Sequence, residues 1–84
     1  MLILKYFASL REQLARDEEH IALPAQVTTL AELIEHLGTE RDECWLRALT
    51  ATPVVTAVNQ EVCGPEQRIC DGDEIAFFPP VTGG

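Results

Sequence analysis

Residues 74–84 read Glu74-Ile75-Ala76-Phe77-Phe78-Pro79-Pro80-Val81-Thr82-Gly83-Gly84, and their order carries three physical instructions. From Glu74 to Phe78 the side chains alternate as in a strand, with Ile75 and Phe77 expected to face a covering helix and Glu74, Ala76 and Phe78 to face out. Pro79-Pro80 then fixes two φ angles and removes two N–H donors, so the strand must stop and the chain must leave the sheet. The segment 79–84 reaches at most about 20 Å when extended, enough to thread a narrow channel in another protein. Gly83 and Gly84 have no side chains to pack and are costly to order, but they leave a terminal carbonyl carbon unshielded. The α-carboxylate of Gly84 is therefore the candidate reactive group, carried by Pro79, Pro80, Val81, Thr82 and Gly83. A frayed polar terminus is the plainer alternative; it gives no reason for a rigid Pro-Pro pair behind an aromatic strand.

Working back along the chain, Asp71-Gly72-Asp73 is a tight turn that delivers the last strand. Val54–Val58 is β-branched and apolar, hence a strand, and Asn59-Gln60 turns it toward a short continuation at Val62-Cys63. Residues 2–7 alternate, with Leu2, Leu4 and Tyr6 on one side and Ile3, Lys5 and Phe7 on the other; Lys5 marks the outer face. Ser9-Leu10-Arg11-Glu12 has the form of a capping box opening a short helix with Leu10 and Leu14 on one side. Glu18–Leu23 reads as the returning strand, Ile21 and Leu23 facing in. Thr29-Leu30-Ala31-Glu32 is a second capping box. Leu30, Leu33, Ile34 and Leu37 follow at the spacing of a helix core stripe, with Gly38 where a terminating glycine would stand. Residues 40–50 carry Trp45, Leu46 and Leu49 and predict a short helix or turn packed on the core edge. Four strands or more under one main helix make an α+β domain with a mixed sheet covered on one face.

The chain has 84 residues and 46% hydrophobic content, enough for one packed core spanning 1–84 and too little for two. Its charge of −8 is the wrong sign for a nucleic-acid binder and disfavours anionic membrane surfaces; it suits solubility or steering toward a basic partner. Cys44, Cys63 and Cys70 form no CxxC pair, and His20 and His36 stand alone, so no metal site is expected. Without a secretory leader or an apolar span, this usage points to a reduced, cytoplasmic chain.

The outer face has one unusual feature. Phe7 ends the first strand and Phe78 the last; if those strands lie side by side and parallel, the two rings meet beside the departing tail. Val62 would join them from the neighbouring hairpin. Two exposed aromatics beside a projecting tail make a candidate docking patch, unless a loop covers them.

Three stretches, Ala57-Val58-Asn59-Gln60, Asp71-Gly72-Asp73-Glu74 and Phe77-Phe78-Pro79-Pro80-Val81-Thr82-Gly83-Gly84, together with Tyr6-Phe7-Ala8 and Leu10-Arg11-Glu12, resemble the small subunits of molybdopterin synthase, a ubiquitin-like sulfur-carrier family. The resemblance spans the chain and is most specific in its final residues. It implies a β-grasp fold. It also implies that a partner adenylates Gly84, that sulfide replaces AMP to leave a 1-thioglycine, and that this thiocarboxylate gives its sulfur to a pterin precursor inside the large synthase subunit. No bound cofactor is implied. The implied partners are the large subunit, in a heterotetramer, and an ATP-dependent adenylating and sulfurating enzyme. Phe7, Val62 and Phe78 match the family's contact surface by position. Residues 39–53 are less family-like, and Cys63 and Cys70 belong to no family motif.

The chemistry is consistent without the name. A carboxylate is a poor electrophile, adenylation makes it a reactive acyl group, and sulfur then makes the same end a nucleophile. A tethered nucleophile needs no acid, base or metal on its own chain. Three rivals stay open on sequence: a ubiquitin-like modifier joined to lysines through Gly84, a carrier for thiamine, cysteine or tRNA thiolation, and an interaction module with an inert tail.

Overall fold

A computed structural model describes residues 1–41, 43–50 and 54–79. The elements are β1 (Leu2–Tyr6), α1 (Ala8–Leu14), β2 (Glu18–Ile21), α2 (Leu30–Glu40), α3 (Glu43–Thr50), β3 (Val55–Val58), β4 (Glu61–Cys63) and β5 (Glu74–Phe78). The strands form one mixed sheet in the order β2-β1-β5-β3-β4. β1 and β5 run parallel at its centre, and the other pairs are antiparallel. The mixed α+β architecture expected from the alternation is present, with the long helix α2 joined by two shorter ones.

Side-chain period decides the layers. Leu2, Leu4 and Tyr6 of β1, and Ile75 and Phe77 of β5, are buried against Leu30, Leu33 and Leu37 of α2 and Trp45 and Leu49 of α3. Tyr6 and Phe77 stack across the central pair with ring centroids 5.5 Å apart. Both residues of the Asn59-Gln60 turn have positive φ, 51° and 71°, the twist that a two-residue hairpin requires.

Four local expectations need correction. The helix α1 starts two residues before a Ser9 capping box would open it: Phe7 is its N-cap and makes no side-chain cap bond, so Ser9 lies inside the first turn and closes no box. The strand β2 ends at Ile21, because Ile21 is already opposite Leu2 at the start of β1; Leu23 lies beyond the ladder but still packs on the core. The capping box at Thr29 and Glu32 is formed. Gly38, however, does not end α2, which runs to Glu40 with Arg41 as its cap. Its missing side chain serves packing instead: a Cβ there would stand 2.8 Å from Leu46 Cδ1, so glycine lets α3 approach α2. Ala76, expected to face out, does so and yet is buried, because it is small and lies between Lys5 and Ala57 on the flanking strands.

Candidate functional site

The tail exit is positioned by the parallel central pair. Tyr6 lies opposite Phe77, and the Phe7 N–H donates to the Phe77 carbonyl at 3.1 Å. That bond carries the ladder one residue past β1 and holds Phe7 beside Phe78. Their rings stack on the outer face, centroids 4.6 Å apart and planes within 9°, a geometry worth about 0.5–1.5 kcal/mol beyond area burial. Pro79 follows directly. Pro80, Val81, Thr82, Gly83 and Gly84 lie outside the described residues, as do Asp42 and residues 51–53 of the segment 39–53.

Val62 faces the same way, opposite Ala57, and is 76% exposed. It sits two strands from β5. Val55 fills the interval: it pairs with Phe78 and is 36% exposed. The row Phe7, Phe78, Val55 and the outlying Val62 thus border a floor made by the buried Ala57 and Ala76. Val55 was not singled out in the sequence. The signal that finds it is register, since one residue of slip on β3 would turn it inward.

The opposite half of the outer face is charged. Lys5 pairs with Glu74 at 3.3 Å, and Glu18 meets His20 Nε2 at 2.8 Å on the edge strand β2. The apolar half therefore lies at the tail end and the polar half toward β2, a division suited to a partner surface with an apolar centre and a polar rim.

Under the sheet lies a polar cluster that the periodicity did not reveal. The Tyr6 hydroxyl donates to Glu19 Oε2 at 2.8 Å and accepts from Trp45 Nε1 at 3.1 Å. Arg41 grips Glu19 with both terminal nitrogens, the Nη1 bond being 3.0 Å, and Arg16 Nη1 stands 3.2 Å from Oε1. Burial alone would raise the Glu19 carboxyl; the bonds from Arg41 and Tyr6 and the charges of Arg41 and Arg16 outweigh it and hold it below the ordinary range. Burial pushes the Tyr6 phenol far up. The cluster joins β1, β2 and the start of α3, on the far side of the sheet from Phe7 and Phe78. Its role is structural.

Among the described residues no group of three metal-ligating side chains converges. Cys44 and Cys70 are exposed, and Cys63 packs partly against the core; all three are free. No helix among the described residues is long and apolar enough to cross a membrane.

Comparison with known proteins agrees with this geometry. A family model described as the ThiS family matches residues 4–84. Two curated proteins named molybdopterin synthase sulfur carrier subunit are similar over their whole length: one from Escherichia coli at 38% identity and one from Haemophilus influenzae at 40%, each covering 100% of both chains. Among solved structures, SAMP1 from Haloferax volcanii superposes with a TM-score of 0.73 at 22% identity, covering 99% of this chain and 98% of that one. A complex of subunits 1 and 2 of molybdopterin-converting factor from Helicobacter pylori gives 0.66 at 21%, covering 99% and 97%. At such identities these two structures establish the shared ubiquitin-like β-grasp fold.

Proposed function

The chain belongs to the ThiS family, and from that premise we propose that it is the sulfur carrier subunit of a molybdopterin synthase. The observation that carries the reading is the end-to-end similarity to two proteins of that name, at 38% and 40% identity over 84 residues. The geometry supports it: the central parallel strand pair ends in the partly exposed Phe7–Phe78 stack, directly before Pro79.

In this reading the Gly84 carboxylate attacks the α-phosphorus of ATP on an activating enzyme, and pyrophosphate leaves. Sulfide then attacks the acyl carbon of the glycyl adenylate and AMP leaves, giving the 1-thioglycine. The thiocarboxylate sulfur, ionised at neutral pH, is next carried into the large subunit and attacks a pterin precursor on the way to the dithiolene. Phe7, Phe78, Val55 and Val62 dock on both partners, while Pro79, Pro80, Val81, Thr82 and Gly83 span the channel. The chain contributes a nucleophile and its delivery; acid, base and nucleotide chemistry come from the partners. It is the donating half of a sulfurtransferase, working in the cytoplasm as a heterotetramer of two small and two large subunits.

Intact mass from the native host tests this. Exchange of oxygen for sulfur adds about 16 Da, by atomic arithmetic, at a modification confined to Gly84. An unchanged mass under conditions of active cofactor synthesis would refute the carrier reading. Ladders of conjugates to other proteins would instead establish a modifier.

A further inference from the structure

The charged half of the outer face follows a pattern. Among the described residues, the five strands hold a single lysine or arginine, Lys5 on β1. Register places two carboxylates around it: Glu18 directly opposite on β2, and Glu74 on β5, two residues before Ala76, the residue opposite Lys5. The ammonium takes the diagonal partner, Glu74 Oε1 at 3.3 Å, although directly opposed residues such as Lys5 and Glu18 have Cβ atoms only about 5 Å apart. Glu18 turns instead to His20 Nε2 at 2.8 Å. The face thus presents two carboxylates to one ammonium. An ion pair still open to solvent, with side chains 35% and 27% exposed, contributes little to folding. Its place is more informative. Lys5 is opposite Ala76, Ala76 is opposite Ala57, and Ala57 is opposite Val62, so the pair heads the row that floors the apolar patch. A standard interface buries about 800 Å² on each partner, a disc roughly 30 Å across. Lys5 stands about 7 Å along β1 from Phe7, and Glu74 about 13 Å along β5 from Phe78. A partner centred on the aromatic stack covers both.

We propose that Glu18, Lys5 and Glu74 form the orientation key of this docking face, and that the large synthase subunit reads them with a basic side chain, an arginine or a lysine, set against Glu74 and Glu18. The inference rests on the carrier reading above and names the chemistry of the partner surface. An apolar patch alone determines rotation about the face normal only weakly. Charge complementarity at its border fixes the register and speeds encounter. The chain's charge of −8 has the same sign as the surplus on this face, so long-range steering and local register favour the same basic partner.

The test measures Kd and association rate of the full chain with the large subunit at several salt concentrations, with melting temperature as the control. The double variant K5E/E74K reverses the pair and keeps an ion pair across the same strands. It is expected to melt like wild type and yet to bind at least tenfold more weakly. E18Q/E74Q is expected to slow association and to flatten its salt dependence. Binding by K5E/E74K at the wild-type level would overturn the proposal, since the pair would then serve only the sheet. So would a wild-type association rate that does not change with salt. If K5E/E74K melts well below wild type, E18Q/E74Q decides, and an unchanged rate and salt dependence in that variant overturn the proposal. A wild-type chain that does not bind the large subunit at all would strike the carrier reading itself, which separates the two failures.

Discussion

Adjacent phenylalanines at the end of β5 should fail in opposite ways. Phe77 is fully buried, stacks on Tyr6 and packs under α2; truncation to alanine leaves a core cavity costing about 3–5 kcal/mol. A domain of 84 residues has a total stability of roughly 4–13 kcal/mol, so Phe77→Ala removes a large share of it. At about 4 °C or more per kcal/mol for a chain of this size, its melting temperature should drop by at least about 12 °C. Phe78 points to the other side. Its ring is stacked on Phe7 and edged by Val55, and removing it forfeits the stacking, about 0.5–1.5 kcal/mol, or roughly 5 °C. Its larger cost is in docking. An aromatic anchor at a compact interface is worth about 2 kcal/mol or more on truncation, which is about thirtyfold in Kd.

The assay is a pair of measurements on each variant: thermal melting by circular dichroism, and affinity for the large synthase subunit by calorimetry. Phe77→Ala, measured cold enough to stay folded, should bind within a few fold of wild type. Phe78→Ala should melt near wild type and bind weakly. The reverse pattern would mean that the face carrying Phe78 is not the docking face. Equal losses of stability in both variants would mean that the outer stack is part of the core.

Three further outcomes are expected. Deleting Gly84, or adding one residue after it, should abolish sulfur transfer with melting unchanged, since the reacting carboxylate is displaced or lost; full transfer activity in the extended variant would contradict this. Gly83→Val should lower adenylation and transfer far more than stability, because a branched side chain restricts φ and thickens the threaded segment; turnover equal to wild type would rule out a narrow channel. Glu19→Gln should cost about 1–3 kcal/mol at pH 7 in urea titrations, the usual price of breaking a charge-assisted bond, and should flatten the acid limb. The sign follows from linkage: the native carboxyl titrates below its unfolded value near 4.3, so its stabilisation is complete above about pH 4.3 and disappears as pH falls through the native value. An acid limb as steep as wild type would show that Glu19 is not its source.

What was legible in the sequence depended on period. Alternation places Leu2, Leu4, Tyr6, Ile75 and Phe77 inside and Phe7 and Phe78 outside, and the stripe Leu30, Leu33, Ile34, Leu37 sets the covering helix, since both patterns are one-dimensional traces of a two-layer core. The meeting of Phe7 and Phe78 follows once β1 and β5 are parallel. Signals that depend on a neighbour were misread. Ser9 resembles a cap, but the chain turns at Phe7 with Ala8 at φ 51°, a conformation that no capping pattern encodes. Gly38 resembles a terminator because its contact, Leu46, comes from the next helix.

The polar cluster shows the same limit from the other side. Glu19 sits in a strand whose alternation already places it on the inner face with Ile21, and an inward carboxylate is a conflict that only partners can resolve. Those partners, Tyr6, Arg16 and Arg41, are 13, 3 and 22 residues away. Spacing supplies the near one and is silent on the others. The resolved conflict has a consequence for delivery. Arg41 ends α2, and Trp45 in α3 shares the Tyr6 hydroxyl, so the cluster fixes the helical layer to β1, the strand that aligns β5. The outer face that carries Phe7 and Phe78 is built on that same pair. A surface held in place in this way has less conformational freedom to lose on association than a loosely packed one.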